Sequence, residues 1–514
     1  MTKQTFLKGT IILILAGFIT RILGFVNRIV IARFIGEEGV GLYMMAAPTF
    51  FLAVTLTQFG LPVAISKLVA EARGDKQKTK RILVMSLAIT GTLSLIFTPL
   101  FLWFAPIMAE NMLTDPRTVY PLIAITPVVP VIAISSVLRG YFQGRQQMSP
   151  LAMSQVLEQV ARISLVAVCT TAFLPYGIEF AAAGAMISSV IGEMISLAYL
   201  LIAFRYKKTI RIRKRFFKAI HDGKDTFKQL MSIALPTTGS RFIGNISWFL
   251  EPIVVAQSLA IAGYAAVEAT RQYGELTGLA LTLLTLPSFI TYSLSTALVP
   301  AISEGMEQNK RKTVEYRLKQ AMRLCLLSGG ISCIILFVYA EDLTLFMYGS
   351  SHAAIYVKFM APFFLLYYFQ GPLQAVLQAL NLAGAAMTNS LIGAIVKTGM
   401  IFVLASQPGF GIMGAALAIL IGIILVTLLH AATVGKVLPI HLPLKEYGLC
   451  VLVIIGTGAV SLWLKSQVNG LFSAPLELVT LIFVTGTLYV ILLICLGLVK
   501  REELRRIPFI GKLF

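Results

Sequence analysis

Residues 20–24 read Thr20-Arg21-Ile22-Leu23-Gly24, and residues 240–244 read Ser240-Arg241-Phe242-Ile243-Gly244. Each pentapeptide lies inside a long apolar run, the first and the seventh of the chain. An arginine near mid-bilayer costs at least about 2.5–3.5 kcal/mol on insertion scales, so it is kept where it faces a wet cavity or an anion. Its return after 220 residues points to a duplicated transporter with a cationic central cavity.

Composition agrees. Of 514 residues, 57% are hydrophobic and 13% charged, which excludes a soluble multidomain protein. Apolar runs of the ~20 residues that cross a bilayer are expected at 7–31, 39–66, 82–108, 119–142, 151–173, 181–203, 229–257, 275–299, 321–340, 355–380, 388–406, 412–434, 447–464 and 476–498. The expected class is an all-α polytopic membrane protein with fourteen transmembrane helices.

Arginine and lysine set the orientation. With the N-terminus in the cytoplasm, inner segments such as 67–81, 139–150, 204–228 and 300–320 collect 32 of the 43 cationic residues. The outer connections hold Arg33, Arg117, Arg271 and Lys465. Both termini are therefore expected in the cytoplasm. The net charge of +20 does not point to nucleic acid, because the charges are spread over inner loops beside apolar spans. Attraction to anionic lipid head groups accounts for them. The first apolar run is too long for a signal peptide and lacks a small-residue cleavage site.

The duplication extends beyond the arginines. Pro62–Ser66 and Pro300–Ser303 both lead into charge, and Arg162 pairs with Lys397 at an offset of 235. Ala183-Gly184-Ala185 with Gly192 parallels Met413-Gly414-Ala415 with Gly422 at an offset of 230. The chain accordingly divides into an N-terminal lobe (1–204, spans 1–6), a basic cytoplasmic linker (205–228), a C-terminal lobe (229–434, spans 7–12) and a last segment (435–514). That segment holds spans 13 and 14 and a cytoplasmic tail. Six spans per repeat make the copies parallel, related by an axis along the membrane normal, with a substrate site expected between the lobes.

Arg21 and Arg28 are two helical turns apart, on one face and about 10 Å from each other along the axis. Such a ladder suits a diphosphate, which guanidinium binds bidentately; the alternative is that both pair with acids on neighbouring helices. Acids inside spans are few: Glu158, Glu193 and Glu251 stand against Arg21, Arg28, Arg162, Arg241, Arg323, Lys358 and Lys397. This imbalance points to an anionic substrate. Glu158 and Arg162, spaced i, i+4, form a structural or coupling pair. Lys397 has no local carboxylate, Lys358 and Arg323 are placed to snorkel, and Arg271 and Glu275 form a second i, i+4 pair. The five cysteines and four histidines show no metal-ligand spacing, so neither a metal nor a disulfide framework is expected.

The runs Thr20–Phe25, Ile31–Gly36, Gly39–Tyr43 and Leu138-Arg139-Gly140-Tyr141-Phe142-Gln143-Gly144-Arg145 resemble the polysaccharide-exporter branch of the multidrug/oligosaccharidyl-lipid/polysaccharide flippase superfamily. The likeness covers essentially the whole chain and is nearest to members that serve the spore cortex peptidoglycan of spore-forming Firmicutes. It implies a V-shaped pair of six-helix lobes that alternates between inward-open and outward-open states. The related lipid II flippases carry Ser-Arg-Val-Leu-Gly-Phe-Ala-Arg-Asp in their first helix. Arg21 matches its first arginine, whereas Asn27 and Arg28 replace its second arginine and its acid. Their eighth helix opens on an Asp-Arg-x-x-Glu-like element, similar to Thr270–Glu275 with a one-residue shift, and Thr55–Gly60 supplies only Gln58 where their second helix has an arginine. In that family two extra C-terminal helices form a lipid-tail groove, which 447–464 and 476–498 would match.

The resemblance thus implies a flippase, and not an enzyme, that moves an undecaprenyl-linked anionic glycan, a lipid II-like peptidoglycan precursor, to the outer leaflet. Membrane lipids and cortex-synthesis enzymes are the implied partners, and the outer forespore or mother-cell membrane the implied location. No cofactor is implied. Inside-negative potential would favour outward movement of an anion by about 2.3 kcal/mol per charge per 100 mV. A cation-coupled multidrug exporter would present membrane carboxylates where the first span offers arginines, and a non-transporting scaffold leaves the buried cations unexplained. A glycosyltransferase or polymerase would need larger outer loops than the short ones here.

Overall fold

The computed structural model describes residues 3–72, 75–207, 223–438, 444–468 and 473–498. The middle of the expected linker (208–222) and the tail (499–514) lie outside the described residues. Every regular element among the described residues is helical. Eleven helices are long and apolar enough to cross a membrane, or twelve if one bent pair counts as a span. The chain is a multi-pass membrane protein.

The first two expected spans run together as α1 (Lys3–Gln58), broken at Gly36, whose φ of 65° and ψ of −174° leave the helical region. Glycine carries that positive φ without steric cost. α2 (Leu61–Glu71) follows Gly60, which is also left-handed. α3 (Lys76–Ile107) starts where the Asp75 side chain accepts from the Gln77 and Lys78 amides, satisfying two donors that the first helical turn cannot. Then come α4 (Val119–Ile125), α5 (Val128–Gly144), α6 (Met148–Phe173), α7 (Ile178–Lys207), α8 (Lys224–Ile261) and α9 (Ala266–Tyr273). A π-helical stretch at Gly274–Ala280 joins α9 to α10 (Leu281–Thr285). The expected span 275–299 is a bent pair, with 54° between 266–285 and α11 (Ser288–Glu307). α12 (Arg311–Val338), α13 (Ala340–Tyr348), α14 (Ala354–Ala379), α15 (Ala383–Ala405), α16 (Gly411–Val437), α17 (Leu444–Val468) and α18 (Ala474–Cys495) complete the order. α14, which holds Pro362 and Pro372, is not among the eleven.

The chain forms two compact units, residues 1–278 with 405–412, and residues 279–404 with 413–514. In the first, Leu61, Ile65, Leu83, Leu138, Phe142, Leu200 and Leu230 build a core from α2, α3, α5, α7 and α8. α5 reaches it through Gly140 and Gly144. A Cβ on Gly140 would stand 2.9 Å from the Pro62 carbonyl oxygen, and one on Gly144 2.6 Å from that of Ser66. Two small residues four apart let the backbones meet. In the second unit, α12 packs on α11, α14, α17 and α18. Tyr339 Oη lies 2.8 Å from Thr485 Oγ1, Tyr489 Oη donates to the Leu327 carbonyl at 3.1 Å, and Lys465 pairs with Asp342. Arg323, which the sequence places to snorkel, instead donates to the Leu498 carbonyl just past the end of α18.

Candidate functional site

Arg21 lies on the first half of α1 and is exposed, and Arg28, two turns on, is half-buried. Arg241 is exposed on α8. α8 lies along the second half of α1: Asn245 Nδ2 donates to Thr55 Oγ1 at 2.6 Å, and Trp248 stacks on Phe51 with centroids 4.8 Å apart. At one end of this contact, a Cβ on Gly60 would stand 2.6 Å from the Ala234 carbonyl oxygen. At the other end, Gln257 Nε2 donates to the carbonyls of Asn111 and Met112. Arg21 precedes the break at Gly36, and Arg241 lies on α8, which packs along the part of α1 after that break, within one unit.

α9 closes on the same helix. A Cβ on Gly41 would come within 2.0 Å of the Thr270 carbonyl oxygen, one on Gly274 within 2.3 Å of that of Glu37, and one on Gly278 within 2.2 Å of Val40 Cγ1. Polar bonds overlie this crossing. Asp115, 1% exposed, accepts from Thr270 Oγ1 at 2.7 Å and from Arg117 Nη2 at 2.8 Å, and Arg117 reaches on to Glu38. Burial pushes the Asp115 carboxyl up, but the bonds from Arg117 and Thr270 outweigh it and hold the group below the usual aspartate value. Beside it, a recess of about 300 Å³ is lined by Glu110, Arg117, Tyr120 and Glu179.

Arg271 and Glu275 remain neighbours at 3.7 Å, but the closer partner of Arg271 is Glu268. That contact is bidentate, Nε to Oε2 at 3.0 Å and Nη2 to Oε1 at 2.8 Å. Glu275 is buried, and spacing alone gave no reason to prefer Glu268, three residues before the arginine. Lys397 stands on α15 in the other unit, its Cβ 2.9 Å from where a Cβ on Gly422 would be.

Glu158 and Arg162 are paired at 2.6 Å, and they belong to a larger cluster. Arg139, counted by sequence with the inner segment 139–150, lies on α5, and its Nη2 reaches both Glu158 (3.3 Å) and Glu193 (2.9 Å). The same nitrogen is 3.1 Å from Ser196 Oγ, and Ser135 Oγ donates to Glu193 Oε1 at 2.6 Å. Gly192 makes the convergence feasible, because a Cβ there would meet the Glu158 carbonyl oxygen at 2.9 Å. Arg139, Asp115 and Glu268 are the participants that sequence reasoning missed, and Glu193, named there as an acid inside a span, was given no partner. A signal existed for Arg139: it falls inside the expected span 119–142, next to the two packing glycines.

The family model described as polysaccharide biosynthesis protein matches residues 6–306. The chain belongs to that family. Stage V sporulation protein B of Bacillus subtilis (strain 168) is 75% identical over 515 residues, covering 100% of this chain and 99% of the relative. Among solved structures, the lipid II flippase MurJ in an inward closed conformation aligns with a TM-score of 0.70 at 16% identity, over 93% of this chain and 97% of its own. An inward-facing multidrug resistance MATE family transporter of the MOP superfamily aligns at 0.68 and 15% identity, over 80% and 93%. At such identity these two show the fold alone, that of a polytopic helical membrane protein.

Proposed function

We propose that the chain is a flippase that carries an undecaprenyl-linked anionic glycan, a peptidoglycan precursor of the lipid II type, from the inner to the outer leaflet by alternating access. The observation that carries this reading is the exposure of Arg21 and Arg241 within long apolar helices of one unit. Fold alone does not choose between a flippase and a multidrug exporter, since both kinds of structure superpose on the chain about equally well. Charge does choose. Guanidinium groups recognise a diphosphate, and a cationic drug would be repelled by them. Arg28, Arg271 and Lys397 extend the cationic set, with Glu268 holding Arg271 bidentately and Glu275 a more distant neighbour. The high identity to a sporulation protein supports a task in spore cortex synthesis, in the outer forespore or mother-cell membrane, alongside cortex-synthesis enzymes. The membrane potential supplies the drive, no cofactor is needed, and both termini face the cytoplasm.

The test is flipping by the purified full chain in vesicles, with lipid II compared against other undecaprenyl-linked glycans. Wild type should move lipid II in preference. Arg21→Ala should lower the rate roughly ten- to hundredfold, the equivalent of one lost charge-assisted bond of about 1.5–3 kcal/mol. Arg21→Lys should also be slow, because lysine keeps the charge and loses the fork. Near-normal flipping by Arg21→Ala at matched protein levels would make this a structural arginine and remove the anionic-site reading.

A further inference from the structure

The second copy of the opening motif has diverged at one position. In register, Arg21, Gly24 and Arg28 of the first copy answer to Arg241, Gly244 and Trp248 of the second. Residues at i, i+3 and i+7 share one face of a helix, and all three are exposed on α8. Nothing stands within 4 Å of the place a Cβ on Gly244 would take, so the stripe is open between its ends. Arg241 has no ion-pair or hydrogen-bond partner among the described residues. An arginine in an apolar helix faces water or an anion, so the stripe it shares with Trp248 is a wet one. A lipid-facing tryptophan would instead sit in the interfacial belt. Trp248 lies nine residues before residue 257, where the expected span ends, about 13 Å inside it along the axis.

Trp248 is built into a platform. Its indole stacks on Phe51 with the planes 29° from parallel, and Phe50 braces Phe51 edge-on at 5.1 Å. Asn245 Nδ2 donates to Thr55 Oγ1 at 2.6 Å, and that hydroxyl donates to the Phe51 carbonyl at 2.9 Å. This chain of bonds ties the two backbones together beside the rings. Phe51 and Trp248 nevertheless stay 40% and 39% exposed, and the indole N–H has no acceptor among the described residues. Such a surface fits a ligand with an apolar face to cover the rings and an oxygen to accept from the N–H. A sugar ring has both, with C–H groups on its face and hydroxyls at its rim. A hydrocarbon tail would cover the rings and strand the N–H.

We propose that Trp248 and Phe51 form a sugar-binding platform, on which a ring of the lipid-linked glycan stacks while Arg241 engages an anionic group of the same ligand. Two helical turns, about 10 Å along the axis, separate Arg241 from Trp248, a distance that a sugar joined to a diphosphate spans. The proposal rests on the flippase reading and adds to it recognition of the carbohydrate, which arginines alone do not supply. The two copies of the motif then divide the work: the first keeps a second cation at Arg28, and the second presents an aromatic ring at the matching position.

The chain has three tryptophans, and the other two, Trp103 and Trp463, are exposed. Replacing both by phenylalanine leaves Trp248 as the sole indole of the full-length protein. In vesicles, undecaprenyl diphosphate carrying a disaccharide should shift or quench the Trp248 emission, and undecaprenyl diphosphate alone should not. Retention of radiolabelled lipid by the purified protein measures binding of each. Trp248→Ala should weaken binding of the sugar-bearing lipid roughly five- to tenfold and leave the sugar-free lipid unchanged, and Trp248→Phe should restore most of the loss. Arg241→Ala should weaken both. If both lipids bind, but the emission ignores the sugar or Trp248→Ala leaves the ratio of affinities unchanged, the platform is wrong and the flippase reading stands. Binding of neither lipid would remove both. Should Trp248→Ala fail to fold, the emission of the single-tryptophan protein still decides.

Discussion

Asp115 is buried and still ionised, because Arg117 and Thr270 both donate to its carboxylate. Its held-down pKa fixes the sign of a pH effect. A carboxyl whose folded value lies below the unfolded one contributes stability above the unfolded pKa, near 3.9 for aspartate, and loses it as pH falls through the folded value. Asp115→Asn should therefore destabilise the protein by about 1–3 kcal/mol at neutral pH, the cost of stranding buried donors. The gap between the two proteins should narrow only in acid below that range. Thermal unfolding of detergent-solubilised protein across pH measures it; a gap unchanged from neutral pH to strong acid would show that ionisation of Asp115 is not its source. At this same scale, residue types were legible in sequence and partners were not. Arg271 was assigned to Glu275 by helical spacing, yet Glu268 offers the bidentate contact, a choice made by side-chain rotamers.

At the scale of elements, glycine decides where helices meet. The crossing of α1 by α9 and the π-helical stretch is held open at Gly41, Gly274 and Gly278 for backbone contact. An added methyl at Gly41 or Gly274 would meet main-chain atoms, which cannot swing aside as a flexible side-chain end does. Gly41→Ala and Gly274→Ala should each cost about 1–3 kcal/mol, the usual penalty of overpacking. Gly91→Ala on α3, with nothing within 4 Å of the new atom, should be neutral or slightly stabilising, since alanine favours helix. Equal unfolding temperatures for all three variants would contradict the close crossing. The same device explains the repeated motif: Gly192 lies 3.5 Å from the Arg162 Cβ and Gly422 2.9 Å from the Lys397 Cβ, measured from the Cβ each glycine lacks. Each half thus sets a glycine of one helix against a cationic residue of its partner, as the offsets of 230 and 235 imply.

For the whole molecule, the distribution of lysine and arginine carries the orientation argument. Lys76 and Lys310 are expected inside and Arg117 and Lys465 outside, with Arg213 and Arg505, beyond the described residues, also inside. Single cysteines at these positions, labelled with an impermeant reagent in intact cells, should react at 117 and 465 and stay protected at 76, 213, 310 and 505 until lysis. Burial of Arg117 and Lys465 in ion pairs will slow labelling there, so the reaction is read against denatured controls. Rapid labelling of position 213 in intact cells would reverse the orientation.

Apolar run length, the arginine–lysine bias and the scarcity of membrane carboxylates fixed the all-helical polytopic class, because the bilayer punishes an unpaired backbone or charge wherever it occurs along the chain. Those penalties are local, so one sequence read in order suffices to see them. What stayed hidden was contact between distant segments. Nothing local says that α8 packs along the part of α1 after Gly36, or that Arg139 leaves the inner loop to join Glu158 and Glu193. Those outcomes depend on which backbones can approach, and glycines placed tens to hundreds of residues apart settle that only once the helices are packed.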